Sequence, residues 1–226
     1  MTLSIVMPAL NEAAHIAAAL EALAPLRRRG AEVIVVDGGS RDGTAALAAP
    51  LADRVLAAPR GRAAQMNVGA AAARGDVLLF LHADTRLPDN ADILIREALA
   101  RSPRVWGRFD VRFAGNALPV VAAMMNLRSR VTGIATGDQA MFVTREAFGR
   151  AGGFPDIALM EDVTLSARLK RLSRPLCLAA RVTTSPRRWQ AHGIVRTVLL
   201  MWRLRLAFFL GADPQRLARA YGYAAD

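Results

Sequence analysis

One cysteine, one lysine, two tyrosines and three histidines stand in a chain of 226 residues. The single thiol, Cys177, excludes an internal disulfide framework and any zinc site built from cysteine pairs, and its apolar neighbours Leu176 and Leu178 predict a core position. No glycine-rich loop carries a Walker A lysine, and Gly38-Gly39-Ser40-Arg41-Asp42-Gly43 fails the Gly-x-Gly-x-x-Gly dinucleotide fingerprint because its second glycine comes one residue early. Repeats of fixed period, low-complexity linkers and coiled-coil heptads are missing. The longest apolar stretch, 194–210, is interrupted by Arg196, Arg203 and Arg205, which rules out a simple membrane span. A strand pattern begins at Leu3 without a basic leader or an apolar signal core, so a cytoplasmic location is expected.

What is present is apolar and cationic. Hydrophobic residues make up 53% of the chain, enough for one large core and short for two independent domains. The formal net charge is +11. Residues 1–167 carry 18 basic and 17 acidic groups, whereas 168–226 carry 12 basic groups against only Asp213 and Asp226. The excess is therefore a C-terminal property, open to nucleic acid, an anionic membrane surface or a phosphorylated substrate. With 29 arginines and alanine runs at 17–19 and 70–73, composition is biased as a whole, so an arginine's position says more than its identity.

Strand and helix patterns alternate along the first half. Strands are predicted at Leu3 to Met7, Glu32 to Val36, Arg54 to Ala57 and Val77 to Leu81. Helices are predicted between them: one marked by Ile16, Leu20 and Leu23 with Asn11 as its N-cap, a short one over Arg41 to Ala49, one over Ala63 to Arg74, and a fourth over Ala91 to Arg101. That order implies βαβ units and a parallel sheet. From Val105 to Phe113 the chain alternates with period two, which predicts antiparallel strands in the second half.

Two of the strands end in carboxylates. Val77 to Leu81 is continuously apolar, as a strand covered on both faces requires, and leads through His82 and Ala83 to Asp84. Ligands of open parallel sheets gather at such carboxyl ends, although an aspartate there can also simply cap its turn. Val33 to Val36 likewise delivers Asp37 to Gly38, Gly39 and Ser40, a loop tight enough for a ligand to approach its backbone. Asp42, Gly43 and Thr44 suit the turn and the cap of the next helix. Further on, Glu161 and Asp162 open a helix whose buried face is Val163, Leu165, Leu169 and Leu172. Acidic residues favour any first turn, so this pair alone does not separate a cap from a site.

The sequence Pro8-Ala9-Leu10-Asn11-Glu12, then Val35 to Thr44, then Leu81-His82-Ala83-Asp84, then Glu161-Asp162, resembles the family-2 glycosyltransferases of the GT-A fold in order and spacing over residues 3 to about 170. Gly61 to Asn67, Gly137-Asp138-Gln139 and Leu159 to Asp162 are similar to the bacterial transferase 2 subgroup associated with radical-SAM and selenodomain proteins. The resemblance implies an α/β chain with a single Rossmann-like, mostly parallel sheet, antiparallel strands in its second half and a C-terminal helical extension. It divides the chain into a transferase domain, 1–185, and a basic amphipathic extension, 186–226.

It also implies roles. Pro8, Ala9, Asn11, Glu12, Asp37, Gly38 and Ser40 would hold the nucleotide of a UDP or GDP sugar, with Arg62 near its diphosphate and Gln65 and Asn67 in support. The family's Asp-x-Asp metal element maps onto His82-Ala83-Asp84. A lone Asp84 is sufficient for Mg²⁺ or Mn²⁺, which bind through one or two carboxylates plus substrate phosphates. His82 departs from the pattern and is counted with Ala83 among the donor-binding residues. Its presence also excludes a haloacid-dehalogenase phosphatase, whose nucleophilic aspartate would stand there. Asp162, with Glu161, would be the base of an inverting transfer to a hydroxyl acceptor. Gly137, Asp138 and Gln139 would touch donor sugar or acceptor, Gly152-Gly153-Phe154-Pro155 would shape the acceptor side, Arg187-Arg188-Trp189, with Arg188 as the binding residue, would close over the diphosphate, and His192 would supply a remote metal ligand.

Two other readings compete. The chain could be a nucleotide-sugar-binding module without transferase activity, or a basic membrane-surface or nucleic-acid protein. Nucleic acid fits poorly because the tail lacks interleaved aromatics for base stacking. From Ile194 to Leu210 the apolar residues fall at helical spacing, which predicts an amphipathic helix packed on the core, paired with a second chain as a homodimer, or lying peripherally on the inner face of a membrane.

Overall fold

A computed structural model describes residues 1–116 and 118–223. Eight strands form one sheet: β1 (Leu3–Ala9), β2 (Glu32–Asp37), β3 (Arg54–Ala57), β4 (Val77–Phe80), β5 (Thr85–Arg86), β6 (Trp106–Phe113), β7 (Phe142–Thr144) and β8 (Leu176–Thr184). Their order across the sheet is β3-β2-β1-β4-β7-β6-β8-β5. β1 pairs in parallel with β2 and β4, β2 with β3, and β6 with β8. β7 joins the two parallel blocks by running antiparallel to both β4 and β6, and β5 is antiparallel to β8. The expected α/β architecture is therefore present, mostly parallel with antiparallel strands in the second half.

Among the described residues, eleven α-helices accompany the sheet. α1 (Ile16–Glu21), α2 (Ala24–Arg28), α3 (Thr44–Ala48) and α5 (Ala91–Ala100) pack on one face against Ile5, Met7, Val33 and Val35. On the other face, α4 (Arg62–Ala72), α7 (Arg145–Arg150) and α8 (Glu161–Leu169) cover Val6, Ile34, Val36 and Phe80. Neighbours on a strand point to opposite faces, so apolar residues at both parities are what a sheet buried on both sides needs. Gly69 lets α4 lie close on this sheet, since a Cβ there would strike the Val6 side chain.

The remaining helices, α6 (Pro119–Thr132), α9 (Arg187–His192), α10 (Ile194–Phe209) and α11 (Pro214–Tyr221), frame the carboxyl ends of the strands. The tail packs on the core as a third cluster in which Leu204, Leu217 and Ala218 meet Leu159, Met160 and Val163. Residues 224–226 of the expected extension lie outside the described residues.

Three expectations need correction. The first predicted helix is two short ones, α1 and α2, separated at Ala22 and Leu23 just before Pro25, whose ring sits in the first turn of α2. Asn11 does not cap it: His15 takes that position, and Asn11 lies in a left-handed turn with φ 52°. Cys177 is half-buried on β8 rather than in the core.

Candidate functional site

A cavity of about 1040 Å³ opens where β1 and β4 end and α4, α6, α8, α9, α10 and α11 converge. Its walls gather residues distant in sequence, among them Pro8, Ala9, Glu12, Arg62, His82, Ala83, Asp84, Gly137, Asp138, Glu161, Asp162 and Arg188. Most of the expected site residues therefore meet in one place.

The strand ends of β1 and β2 are braced against each other; Pro8, Ala9 and Glu12 line the cavity, whereas Asn11, Asp37, Gly38 and Ser40 are not on its wall. Ala9 is paired in register with Asp37, and Gly38 N–H donates to the Ala9 carbonyl at 2.9 Å. Asp37 Oδ2 accepts from the N–H groups of Gly39 and Ser40 at 3.0 and 2.9 Å, while buried Oδ1 has no partner among the described residues. A buried, unpaired carboxylate oxygen is costly unless a ligand donor satisfies it. Asn11 and Ser40 tie the two loops together: Asn11 N–H donates to Ser40 Oγ at 2.8 Å, and Asn11 Oδ1 accepts from Arg41 N–H at 3.0 Å. Asp42 accepts from Thr44 through both backbone and hydroxyl, which makes it a turn residue as expected.

Three expected ligand contacts prove to be internal braces. Gln65 is buried, and its amide nitrogen donates to the carbonyls of Ala9 and Val36, both at 2.8 Å, locking β1 to β2. Asn67 exchanges two hydrogen bonds with the backbone of Phe154, at 2.9 and 3.0 Å, fixing the Gly152 to Pro155 loop. Gln139, fully buried, forms a reciprocal cap with Thr136 and reaches Asn126 and Ser129 of α6. In each case the amide hydrogen-bonds to protein groups. Asn67 and Gln139 are not on the cavity wall.

Opposite the strand ends, α8 starts with Met160 in a left-handed conformation, φ 72°, which turns Glu161 and Asp162 into the cavity. Asp162 is held by two N–H groups, Gly137 to Oδ2 at 2.9 Å and Val163 to Oδ1 at 2.7 Å. Burial raises its pKa even so, against those hydrogen bonds and the Arg62 charge. Burial, followed by repulsion from Asp162, pushes Glu161 up to about 7. The His82 ring packs on Gly137, where no Cβ would fit, and its Nδ1 is 3.6 Å from Asp138 Oδ1. That neighbour lowers the Asp138 pKa against the cost of burial.

Positive charge comes from several helices. Arg62 is the first residue of α4, beside the Tyr223 ring at 5.5 Å. Arg188 stacks on Tyr221 at 3.4 Å and donates to the Tyr221 carbonyl. Arg128, Arg188 and Arg205 each carry a buried guanidinium nitrogen without a partner in the structure, and all three line the cavity. Such groups suit an anion, above all a phosphate.

Arg187, which the sequence did not single out over Arg188, is the central clamp. Its Nη2 lies 3.2 Å from Asp84 Oδ2 and 3.2 Å from Glu12 Oε1. Two carboxylates thus converge on one cationic nitrogen. Their hard oxygen donors and convergence on positive charge fit Mg²⁺ or Mn²⁺ held largely by substrate phosphates. A site with only protein ligands does not fit: no group of three His, Cys, Asp or Glu able to hold a metal occurs among the described residues. His192 is exposed at the end of α9 and off the cavity wall, so it does not join Asp84 as a ligand.

Comparison with known proteins agrees with this geometry. Residues 4–152 match the family model described as glycosyl transferase family 2. The succinoglycan biosynthesis protein ExoA of Rhizobium meliloti (strain 1021) is 41% identical over 42% of this chain and 32% of its own length, so the match spans about a third of that relative. Among solved structures, S. aureus TarS in complex with UDP-GlcNAc superposes with a TM-score of 0.69 at 18% identity, over 82% of this chain and 58% of that one. The mannosyltransferase PcManGT from Pyrobaculum calidifontis, in complex with GDP-Man and Mn²⁺, gives 0.63 at 22% identity over 98% and 69%. The latter two likenesses speak to the fold.

Proposed function

The chain belongs to glycosyl transferase family 2, and we propose that it is an inverting glycosyltransferase that moves a sugar from a UDP or GDP sugar to a hydroxyl acceptor, assisted by Mg²⁺ or Mn²⁺. The observation that carries the reading is the convergence in one cavity of Asp84 at the end of the β4 strand, Asp162 at the start of α8, and arginines with unpaired nitrogens between them.

Each group has a task. The partnerless Asp37 Oδ1 accepts from a base N–H or a ribose hydroxyl, beside the turn that carries Pro8, Ala9 and Glu12. Arg62 and Arg188 bind the diphosphate, Arg62 from a helix N-terminus whose dipole adds to its charge. Asp84 would hold the divalent cation, which would supply neutralisation of the charge that grows on the departing diphosphate. Asp162, oriented by Gly137 and Val163, takes the proton of the acceptor hydroxyl as its oxygen bonds to the anomeric carbon and the bond to the diphosphate breaks. A raised pKa makes it a stronger base than an exposed aspartate, and His82 and Asp138 form the adjacent wall on the sugar side.

PcManGT, in complex with GDP-Man and Mn²⁺, and TarS, in complex with UDP-GlcNAc, support a nucleotide-sugar donor of this kind. A thermal-shift panel of UDP and GDP sugars with and without Mn²⁺, followed by assay of donor turnover, tests the proposal. Stabilisation by one nucleotide class that depends on the metal is expected, and Asp84→Ala should abolish the metal dependence. Metal-stimulated nucleotide binding that survives Asp84→Ala would sink it, and donor binding without turnover by any acceptor would reduce the chain to a binding module.

A further inference from the structure

On α10 the residues Val195, Leu199, Trp202, Leu206 and Phe209 recur at intervals of four and three, so they form one stripe along the helix. The stripe faces outward: all five are between 58% and 72% exposed, while Thr197 and Leu204 on the opposite side are buried against the core. α6 repeats the arrangement with Val120, Met124, Leu127 and Val131, between 51% and 69% exposed, opposite buried Ala122 and Ser129. Two stripes of this kind are more apolar surface than scattered exposed side chains explain.

The stripes border the same opening. Met124 and Trp202 belong each to its stripe and to the cavity wall, so the mouth of the cavity is rimmed from both sides by apolar surface. Neither helix contains an aspartate or a glutamate. Exposed Arg196 and Arg203 flank the α10 stripe and have no ion-pair partner among the described residues. Inside the opening, Arg128 of α6 and Arg205 of α10 present buried, unpartnered guanidinium nitrogens.

We infer that the face formed by α6 and α10 docks on an anionic membrane surface. Apolar side chains with arginines at their margin match the layered chemistry of a bilayer interface, acyl boundary beneath and anionic head groups around. A second copy of the chain fits less well, because pairing the stripes would bring rows of arginines together with no carboxylate on either helix to answer them. No helix of the described residues is long and apolar enough to cross a membrane, so contact is peripheral. Given the proposed transferase activity, the cavity mouth would then receive an acceptor whose head group is presented by that bilayer. The docking itself does not depend on that activity.

Sedimentation of the full chain with vesicles of phosphatidylcholine, with and without phosphatidylglycerol, tests the inference in the absence of donor and metal. Co-sedimentation with the anionic vesicles is expected, weakened by salt and accompanied by a blue shift of Trp202 emission. The double variant Leu199→Glu/Leu206→Glu should bind at least about tenfold more weakly, and Leu127→Glu should weaken binding from the other stripe. These side chains are exposed, so unchanged circular dichroism and an unchanged melting temperature are expected of the variants. Failure to bind, equal binding by wild type and variants, or a soluble dimer that the same substitutions dissociate would each overturn the inference. Loss of transferase activity with vesicle binding intact would overturn only the proposed reaction.

Discussion

Arg187 Nη2 lies 3.2 Å from Asp84 Oδ2, although 103 residues separate the two in sequence. The same nitrogen serves Glu12, so one guanidinium balances two carboxylates at the place where a divalent cation would bind. Cation and guanidinium then compete for Asp84. The arginine is 46% exposed and Asp84 25%, which limits each pair to about 0.2–1 kcal/mol. Arg187→Ala is therefore expected to lower the Mn²⁺ concentration needed for half-saturation by about two- to fivefold, read by titration calorimetry in the presence of saturating nucleotide diphosphate. Unchanged or weaker Mn²⁺ binding would refute the competition.

Asp162→Asn keeps the shape and one acceptor oxygen but removes the base. Turnover is expected to fall by about 10²- to 10⁴-fold with nucleotide-sugar affinity nearly unchanged. In the wild type, kcat should rise with pH through a limb set above the ordinary aspartate range, because burial raises the pKa of Asp162. The asparagine variant should lose that limb. A loss of donor affinity as large as the loss of turnover would contradict the role.

Glu161 gives a stability test that does not involve substrate. Its pKa in the folded chain is about 7 against an ordinary 4.5, so between those values the folded state holds a proton that the unfolded state has released. Stability must therefore fall as pH rises through this window, by on the order of 3 kcal/mol if no other group compensates. Glu161→Gln should flatten the slope and raise the melting temperature above pH 7, measured by thermal denaturation at several pH values. A variant less stable than wild type at pH 8 would show that the carboxylate is held ionised by its partners.

Gln65→Ala is expected to destabilise by about 1–3 kcal/mol, because it removes two buried hydrogen bonds, to the Ala9 and Val36 carbonyls, and leaves Ala9 with Gly38 N–H alone. Urea denaturation reads this directly. If Gln65 served the nucleotide instead, affinity would fall and stability would stay.

The strands β1 to β4 were legible because each is a short local apolar run, and the positions of Asp37 and Asp84 were legible because two of those runs lead directly to a carboxylate. Asp162 was legible only as a first-turn carboxylate, which the family resemblance alone marked as a candidate base. For Gln65, Asn67 and Gln139 the sequence showed no brace, because an amide near a site looks the same in sequence whether it faces ligand or backbone. Only the geometry shows that Val36, Phe154 and Ser129 consume them. Arg187 was expected with Arg188 near the diphosphate, but its pairing with Glu12 was not legible, because nothing local marks a residue whose partner is 175 positions away. The tyrosines that line the cavity were missed likewise. Tyr221 and Tyr223 gain meaning only where α11 folds back over Arg62 and Arg188.

The clamp made by Arg187 also fixes an order of events during synthesis. Glu12, Asp37 and Asp84 leave the ribosome long before the arginine that neutralises two of them, since 175 and 103 residues intervene. A nascent chain that has folded its first four strands carries facing carboxylates with no cation of its own between them. Until the tail emerges, only solvent and dissolved ions screen those carboxylates from one another, and the docking of α9 is what brings them a cation from the chain itself.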